Sequence, residues 1–139
     1  MVFSVANYLV IGAGGFGRRL ICALQHTGGC VDVIDKEASA SCGLEGCYRF
    51  FCDNALNLST VRRLDLSSYA CCFLCVGGES WMRSQITARL HQAGAKRIIV
   101  RIYDDKERKT ILSAGAEEAV SVEQLASEAL VALLQKTKE

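Results

Sequence analysis

Three glycines near the amino terminus have the spacing of a phosphate-binding turn. They occur as Gly12-x-Gly14-x-x-Gly17, directly after the apolar run Tyr8–Ile11, and the residues that follow take up helical spacing. In such a turn the first glycine makes the tight bend, the second lets the backbone approach a pyrophosphate, and the third lets the helix pack closely on the strand. The phosphates then face free N–H groups at the helix start. The motif predicts a nucleotide site, with a purely structural turn as the alternative.

An acidic residue ends the second predicted strand, where a dinucleotide site requires one. The segment Val31-Asp32-Val33-Ile34-Asp35 places a carboxylate after the strand, at the separation of about 20 residues that the motif needs to reach a ribose. Asp35 favours NAD(H) over NADP(H), because a 2′-phosphate beside a carboxylate would be repelled. It does not separate NAD from ATP or ADP, which also carry a free ribose diol. The structural alternative for Asp35 is a helix N-cap.

Length and composition restrict the classes of protein that fit. The 139 residues suit a single domain, 1–139, and a second catalytic domain would not fit beside a nucleotide-binding fold. The net charge of +1 indicates neither a nucleic-acid partner nor a polybasic membrane surface. The amino terminus does not resemble a signal peptide. No segment approaches the ~20 apolar residues of a membrane-spanning helix, so we expect a cytoplasmic protein without direct membrane insertion.

The eight cysteines raise the question of disulfides or a metal. Five lie in or beside apolar strand-like runs, as buried free cysteines do: Cys30, Cys52, Cys71, Cys72 and Cys75. Cys72 and Cys75 have CxxC spacing, but residues three apart in a strand point to opposite faces and cannot close on one metal. We therefore expect no metal. Cys42 and Cys47 are the one plausible redox pair, and incidental loop thiols are the favoured interpretation for them.

Strands alternate with helices along the whole chain. This order predicts an α/β fold with a doubly wound, mostly parallel six-stranded sheet and helices on both faces. The predicted strands are 8–11, 30–35, 47–52, 70–76, 97–102 and 118–122, and the predicted helices are 15–27, 56–64, 79–93, 104–114 and about 123–137. Because ligands bind outside the carboxyl ends of such strands, the loops at 12–17, 35, 53, 77–78 and 102–103 should converge on one crevice.

Two of the predicted helices have apolar stripes. In helix 79–93 the stripe consists of Met82, Ile86, Leu90 and Ala93, which we interpret as a core-facing surface. In the last helix the apolar positions are Leu125, Ala126, Ala129, Leu130, Leu133 and Leu134. A terminal helix with so strong a stripe must cover something, either this domain or a partner, so we expect a role in assembly.

Five segments follow one another along the chain: VIGAGGFGRRL, VIDKE, LCVGGES, AKRIIVRIYDD and GAEEAV. Together and in this order they resemble the N-terminal nucleotide-binding domain of Trk-type potassium-uptake proteins, which is also the N-lobe of RCK modules. The resemblance implies a Rossmann-type regulatory domain, not an enzyme. It implies NAD(H) or an adenosine phosphate (ATP, ADP or AMP) as ligand and a homodimer or higher homo-oligomer. The ligand signal would pass to a membrane potassium transporter or channel subunit.

Carried over by position, the resemblance assigns Asp53 to the adenosine end of the ligand and Arg101 to its phosphates. The structural alternatives are a cap on the next turn for Asp53 and a solvated or ion-paired strand residue for Arg101. The sequence departs from the family pattern at two positions. Gly15 stands where many family members have an Arg associated with reaching the nucleotide phosphates, which bears on the discrimination of ATP. Asn54 stands where the family usually has Ala, which bears on the contacts with adenine. The full set predicted to bind the cofactor is Gly12, Ala13, Gly14, Gly15, Phe16, Gly17, Asp35, Lys36, Asp53, Asn54, Val76, Gly77 and Arg101.

Two other functions remain open at this point: the cofactor domain of an NAD-dependent oxidoreductase, and the regulatory domain of a longer protein with a fused phosphoesterase. Hydride transfer needs a proton donor or acceptor beside the reacting carbon. The two histidines, His26 and His91, are not predicted to lie at the carboxyl edge of the sheet. Tyr103 and Lys106 are at or near that edge, but this pair is more typical of packing and solvation.

Overall fold

Six parallel strands form one sheet in the computed structural model, which describes residues 5–57 and 59–136. The strands are β1 (Asn7–Ile11), β2 (Cys30–Asp35), β3 (Arg49–Cys52), β4 (Cys71–Leu74), β5 (Ile98–Ile102) and β6 (Glu118–Ser121). They lie in the order β3-β2-β1-β4-β5-β6, and each neighbouring pair is parallel. The chain thus winds outward from β1 to β3 and returns to β4 beside β1, which creates the switch point of a doubly wound sheet. The predicted fold class is confirmed.

Helices connect the strands and cover both faces of the sheet. They are α1 (Gly15–His26), α2 (Ser59–Arg63), α3 (Ser80–Gln92), α4 (Arg108–Ser113) and α5 (Val122–Lys136), with short 3-10 turns at Ala38–Ser41, Leu66–Ser68 and Asp105–Glu107. The core has two parts. One packs α2, α3 and α4 on the sheet and includes Leu9 and Ile11, while the other packs α1 on the opposite face and includes Val10 and Ile21. Alternate residues of β1 therefore contribute to opposite halves of the core.

Several predicted elements are shorter than expected, and local hydrogen bonds explain two of the differences. The predicted helix 56–64 is reduced to α2, because Asp53 accepts hydrogen bonds from Ser59 and Thr60 at its start. The predicted helix 104–114 divides into the 3-10 turn Asp105–Glu107 and α4. The predicted strand 47–52 begins at Arg49, since the Cys47 N–H donates to the Leu44 carbonyl in a turn.

The buried face of α3 differs from the predicted stripe. Ile86 and Leu90 are buried, but Met82 is only half-buried and Ala93 is exposed. The buried face is completed by Arg83 and Thr87, which were not predicted to be buried. The Thr87 hydroxyl donates to the carbonyl of Arg83, so burial leaves it hydrogen-bonded.

The last helix follows β6 directly, and none of its residues is buried. Its large apolar side chains are 54–67% exposed: Leu125, Leu130, Val131, Leu133 and Leu134. The apolar face of α5 therefore does not cover this domain in the single chain. Residue 137, the predicted end of this helix, lies outside the described residues. No helix among those described is long and apolar enough to cross a membrane.

The cysteines are all free. Cys71, Cys72 and Cys75 are buried as expected, and Cys72 and Cys75 belong to opposite halves of the core. Cys30 is half-buried, and the expectation of burial was wrong for Cys52, which is exposed on the edge strand β3. Burial raises the pKa of the Cys72 and Cys75 thiols to about 12, so both remain protonated at neutral pH.

Candidate functional site

The glycine turn, residues 12–17, joins β1 to α1 under tight steric constraints at its two ends. Gly12 has φ +99°, and a Cβ there would lie 2.9 Å from the Cys75 carbonyl carbon and oxygen. A Cβ at Gly17 would lie 2.0 Å from the carbonyl oxygen of Gly12. These two positions therefore need glycine for the turn itself and for the packing of α1 on β1.

The middle of the glycine turn faces open space. A Cβ at Gly14 or Gly15 would meet no atom within 4 Å, and both residues are exposed. Gly14 is the N-cap of α1, with no side-chain cap and no acidic residue in the first turn. The first N–H groups of α1 and the positive end of its dipole are thus directed at a space that no side chain of the turn fills.

Asp35, at the end of β2, is bound to the glycine turn. One carboxylate oxygen, Oδ2, accepts a hydrogen bond from the Ala13 N–H at 2.7 Å, and Oδ1 accepts one from the Glu37 N–H at 2.8 Å. Glu37, and not Asp35, is at the N-cap position of the following 3-10 turn, so Asp35 is not the helix N-cap of the structural alternative. Two N–H donors orient the carboxylate, and its position is set by the turn that it adjoins.

The carboxyl ends of the central strands enclose a crevice of about 490 Å³. Eleven of the thirteen predicted site residues line it, namely Gly12, Gly14, Gly15, Phe16, Asp35, Lys36, Asp53, Asn54, Val76, Gly77 and Arg101. Ala13 and Gly17 do not line it, because Ala13 is buried behind the turn and Gly17 packs against Gly12. The lining also includes Tyr103, from the loop at 102–103 that was predicted to reach the crevice. It further includes Glu37, Met82 and Ile86, which sequence reasoning did not place in the site. A larger groove of about 640 Å³ lies between α3 and α4, and none of the predicted site residues lines it.

Asp53 does cap the turn that follows it. Its Oδ2 accepts hydrogen bonds from the Ser59 hydroxyl and from both the hydroxyl and the N–H of Thr60, and Oδ1 accepts one from the Asn54 N–H. The Thr60 and Ser59 hydroxyls lower the pKa of Asp53 to about 2. Asp53 therefore caps the next turn, as the structural alternative has it, and it also borders the crevice. Its predicted contact with the adenosine end stays a prediction.

Arg101, on β5, borders the crevice from the side opposite Asp35 and Asp53 in the sheet order. Its guanidinium carbon lies 5.2 Å from the ring centre of Phe16 and 4.5 Å from that of Tyr103. The Nη2 atom forms an ion pair with Glu123 Oε1 at 2.7 Å, and the Nε atom is buried without a hydrogen-bond partner. Hydrogen bonding to its own backbone N–H and to Arg101 lowers the pKa of Glu123. Arg101 is thus ion-paired and still has a donor to offer.

A buried ion pair that sequence reasoning missed supports the wall of the crevice formed by the loops after β4 and β5. Arg83 donates from Nε and Nη2 to the Glu107 carboxylate at 2.7 and 2.8 Å, and its Nη1 donates to the carbonyl of Gly78 at 2.9 Å. Its guanidinium also lies 4.8 Å from the Tyr103 ring centre. Arg83 therefore fixes the glycine loop after β4 and one face of Tyr103.

The described residues that line the crevice include no histidine. Tyr103 lines it, but its ring is held between Arg83 and Arg101. Within ranges 5–57 and 59–136, no cluster of three or more His, Cys, Asp or Glu side chains could hold a metal ion. The chemistry this arrangement offers is recognition: backbone N–H groups and an arginine for phosphates, and a fixed carboxylate for hydroxyl groups.

Solved structures with the same fold include two single domains. The TrkA-N domain of the inner membrane protein ybaL from Escherichia coli is 23% identical, with a TM-score of 0.81 over 96% of this chain and 99% of that one. The NAD(P)-binding domain of an exopolyphosphatase-related protein from Archaeoglobus fulgidus is 25% identical, with a TM-score of 0.82 over 93% and 97%.

The GsuK channel bound to ADP is also similar, at 19% identity and a TM-score of 0.74 over 95% of this chain and 34% of that chain. The chain thus spans about a third of that channel sequence. A comparison with curated protein sequences found no significant match. The family model of the TrkA-N domain matches residues 8–122, which include the glycine turn, Asp35, Asp53 and Arg101. The chain therefore belongs to the TrkA-N domain family.

Proposed function

We propose that this chain is a regulatory domain that binds an adenine nucleotide, either NAD(H) or an adenosine phosphate, and passes a conformational signal to a partner. The strongest support is the position of Asp35. Its carboxylate is tied to Ala13 beside the open space at Gly14 and Gly15, so the hydroxyl-binding and phosphate-binding groups of one nucleotide site adjoin each other.

The charges of the crevice support an adenine nucleotide without a 2′-phosphate. Asp35 ends β2 and Glu37 lies two residues beyond it, where such a phosphate would lie, and Lys36 is exposed between them. On the other side of the glycine turn, Arg101 supplies a cation near the start of α1. The arrangement favours anionic groups at the turn and neutral hydroxyl groups at Asp35.

The relatives are consistent with this proposal. The A. fulgidus domain, at 25% identity, is described as NAD(P)-binding, and structures of the GsuK channel include complexes with NAD and with ADP. We extend the proposal to a cytoplasmic domain whose partner is a membrane potassium transporter or channel subunit, on the basis of the family resemblance.

Assembly into a homodimer or higher homo-oligomer is supported by two apolar surfaces that the single chain leaves incompletely covered. The apolar side chains of α5 are exposed in the single chain. On the α1 side of the sheet, Phe73 of β4 and Ile99 of β5 are only half-buried, although residues of central strands in a parallel sheet are normally covered on both faces. A second copy could cover both surfaces.

A thermal-shift series with NAD, NADH, NADP, ATP, ADP and AMP tests the ligand. A ligand at 100 times its Kd stabilises the native state by ~2.7 kcal/mol, which raises the Tm of a domain of this size by about 9 °C. We expect a shift with NAD(H) or the adenosine phosphates and a smaller one with NADP.

The control pair is Asp35→Asn and Asp65→Asn. Asp65 also accepts the N–H of the residue two positions on, at a turn outside the crevice. Asp35→Asn should abolish most of the shift and reduce the preference against NADP, whereas Asp65→Asn should leave both unchanged. The absence of a shift with all six ligands would overturn the proposal, as would steady cofactor turnover in favour of an oxidoreductase.

A further inference from the structure

Arg101 takes part in two structures at once, the crevice and the start of α5. Its side chain is 16% exposed and is held between the rings of Phe16 and Tyr103. Its Nη2 atom is bound to Glu123, the second residue of α5, and its Nε atom has no partner. Glu123 and an anion in the crevice therefore compete for the positive charge of one guanidinium, whose orientation the two stacked rings restrict.

Glu123 is well placed to be displaced. It is 63% exposed, so water can solvate its carboxylate once the arginine is withdrawn. No residue of α5 is buried, and the helix is therefore not fixed to the domain by packing of its own apolar face. A change at its first turn can alter the position of the whole helix at little cost in buried area.

We propose that the Arg101–Glu123 ion pair is a latch that holds α5 in the absence of ligand, and that a phosphate bound in the crevice opens it by taking the guanidinium from Glu123. This inference rests on the proposed nucleotide function and adds its regulation. The ligand binds the open state better, because Arg101 is not shared there, and that difference in affinity is what shifts the equilibrium.

Thermodynamic reciprocity gives a sharp test. If the ligand opens the latch, then opening the latch by mutation must tighten ligand binding by the same factor. Glu123→Gln removes the competing charge and should lower the Kd for NAD or ADP about two- to fivefold, the range for a largely exposed ion pair. Loss of a merely structural contact would weaken binding or leave it unchanged.

A matched control is available beside the same strands. Arg97 and Glu117, the residues before β5 and β6, form an exposed ion pair that does not border the crevice. Glu117→Gln removes an equivalent charge and should leave the Kd unchanged. In an Arg101→Gln background, the further change Glu123→Gln should have no effect on the Kd, because the guanidinium for which both anions compete is gone.

Isothermal titration with NAD and ADP, combined with amide hydrogen exchange of α5, separates the possible failures. We expect the first turn of α5 to exchange faster when ligand is bound, and equally fast in ligand-free Glu123→Gln. If the wild type binds no nucleotide, the proposed function fails and the latch with it. If the wild type binds but Glu123→Gln has an unchanged or higher Kd, or if α5 exchange does not respond to ligand, the latch alone is overturned.

Discussion

Replacing Gly17 and Gly14 by alanine, one at a time, should separate the stability of the glycine turn from its ligand binding. At Gly17 the added methyl carbon would lie 2.0 Å from the carbonyl oxygen of Gly12. An ordinary contact between carbon and oxygen is about 3.3 Å, so one of the two groups must move by about 1.3 Å. Gly12 cannot easily recede, because its N–H is bonded to the Ile34 carbonyl at 2.8 Å and Cys75 lies against it.

The expected cost follows from this overlap. Overpacking of a tight site costs typically 1–3 kcal/mol, occasionally more, and the collision with backbone places Gly17→Ala at or above the upper end. The higher helix propensity of alanine offsets about 1 kcal/mol of this cost. The net loss should be about 2–3 kcal/mol. For a chain of 139 residues, the entropy of unfolding is about 0.3 kcal/mol/K, so the Tm should fall by about 7–10 °C.

Gly14→Ala should behave in the opposite way. Its backbone, at φ −76° and ψ −161°, suits alanine, and the methyl group would meet no protein atom within 4 Å. The loss of the preferred glycine N-cap costs at most about 1 kcal/mol, so the Tm should stay within about 3 °C. The methyl group would occupy the space proposed for the phosphates, and the shift caused by NAD or ADP should disappear.

Thermal unfolding of the two variants with and without nucleotide measures all of these quantities. A Tm for Gly17→Ala within about 2 °C of the wild type would show that the turn yields easily, and it would refute the steric reasoning. A full nucleotide shift in Gly14→Ala would show that the ligand does not approach the backbone at this glycine.

Two further predictions concern buried charge and pH. Arg83→Met leaves Glu107 buried without its cation and should lower the free energy of unfolding by about 3–5 kcal/mol. The double variant Arg83→Met with Glu107→Met should recover most of that loss. Urea unfolding measures the free energy of unfolding of both variants. Since the folded-state pKa of Asp53 is about 2 against an ordinary 3.8, its stabilisation is present above about pH 4 and is lost as the pH falls towards 2. This contribution is about 1–2 kcal/mol after allowance for solvent screening, and Asp53→Asn should remove that part of the pH dependence of unfolding.

The strands and the crevice could be predicted because their signals are local. An apolar run followed by glycines specifies both the strand and the turn, and the alternation of strands and helices restricts the sheet to a parallel arrangement. Once the sheet is parallel, every loop after a strand lies at the same edge. Eleven predicted residues therefore line one crevice, although they come from five separate segments of the chain.

The residues behind the crevice could not be predicted, because their partners are distant in the sequence. Arg83 lies on α3 beside the residues of the predicted apolar stripe, and an arginine at such a position is normally assigned to the solvent side. Its burial depends on Glu107, 24 residues away, and on the Gly78 carbonyl. The turn before α4 places Glu107 beside Arg83, and no local sequence pattern predicts that position.

Asp32 shows what signal such residues do leave. It occupies the middle of β2, three residues before Asp35, and it is buried. Its Oδ2 accepts hydrogen bonds from the Tyr69 hydroxyl at 2.6 Å and from Arg49 Nη2 at 2.7 Å. Tyr69 is 37 residues from Asp32 in the sequence and Arg49 is 17 residues away. The alternation of apolar residues along β2 therefore does not identify either partner.

A charged residue inside an otherwise apolar periodic segment must nevertheless be paired, because an isolated buried charge is far too costly. Asp32 within β2 is a residue of this kind, and Arg83 on the buried face of α3 obeys the same requirement. The pattern that defines each element therefore also indicates that a partner of opposite charge or a hydroxyl donor lies on the facing element. The identity of that partner follows only when the fold brings the two segments together.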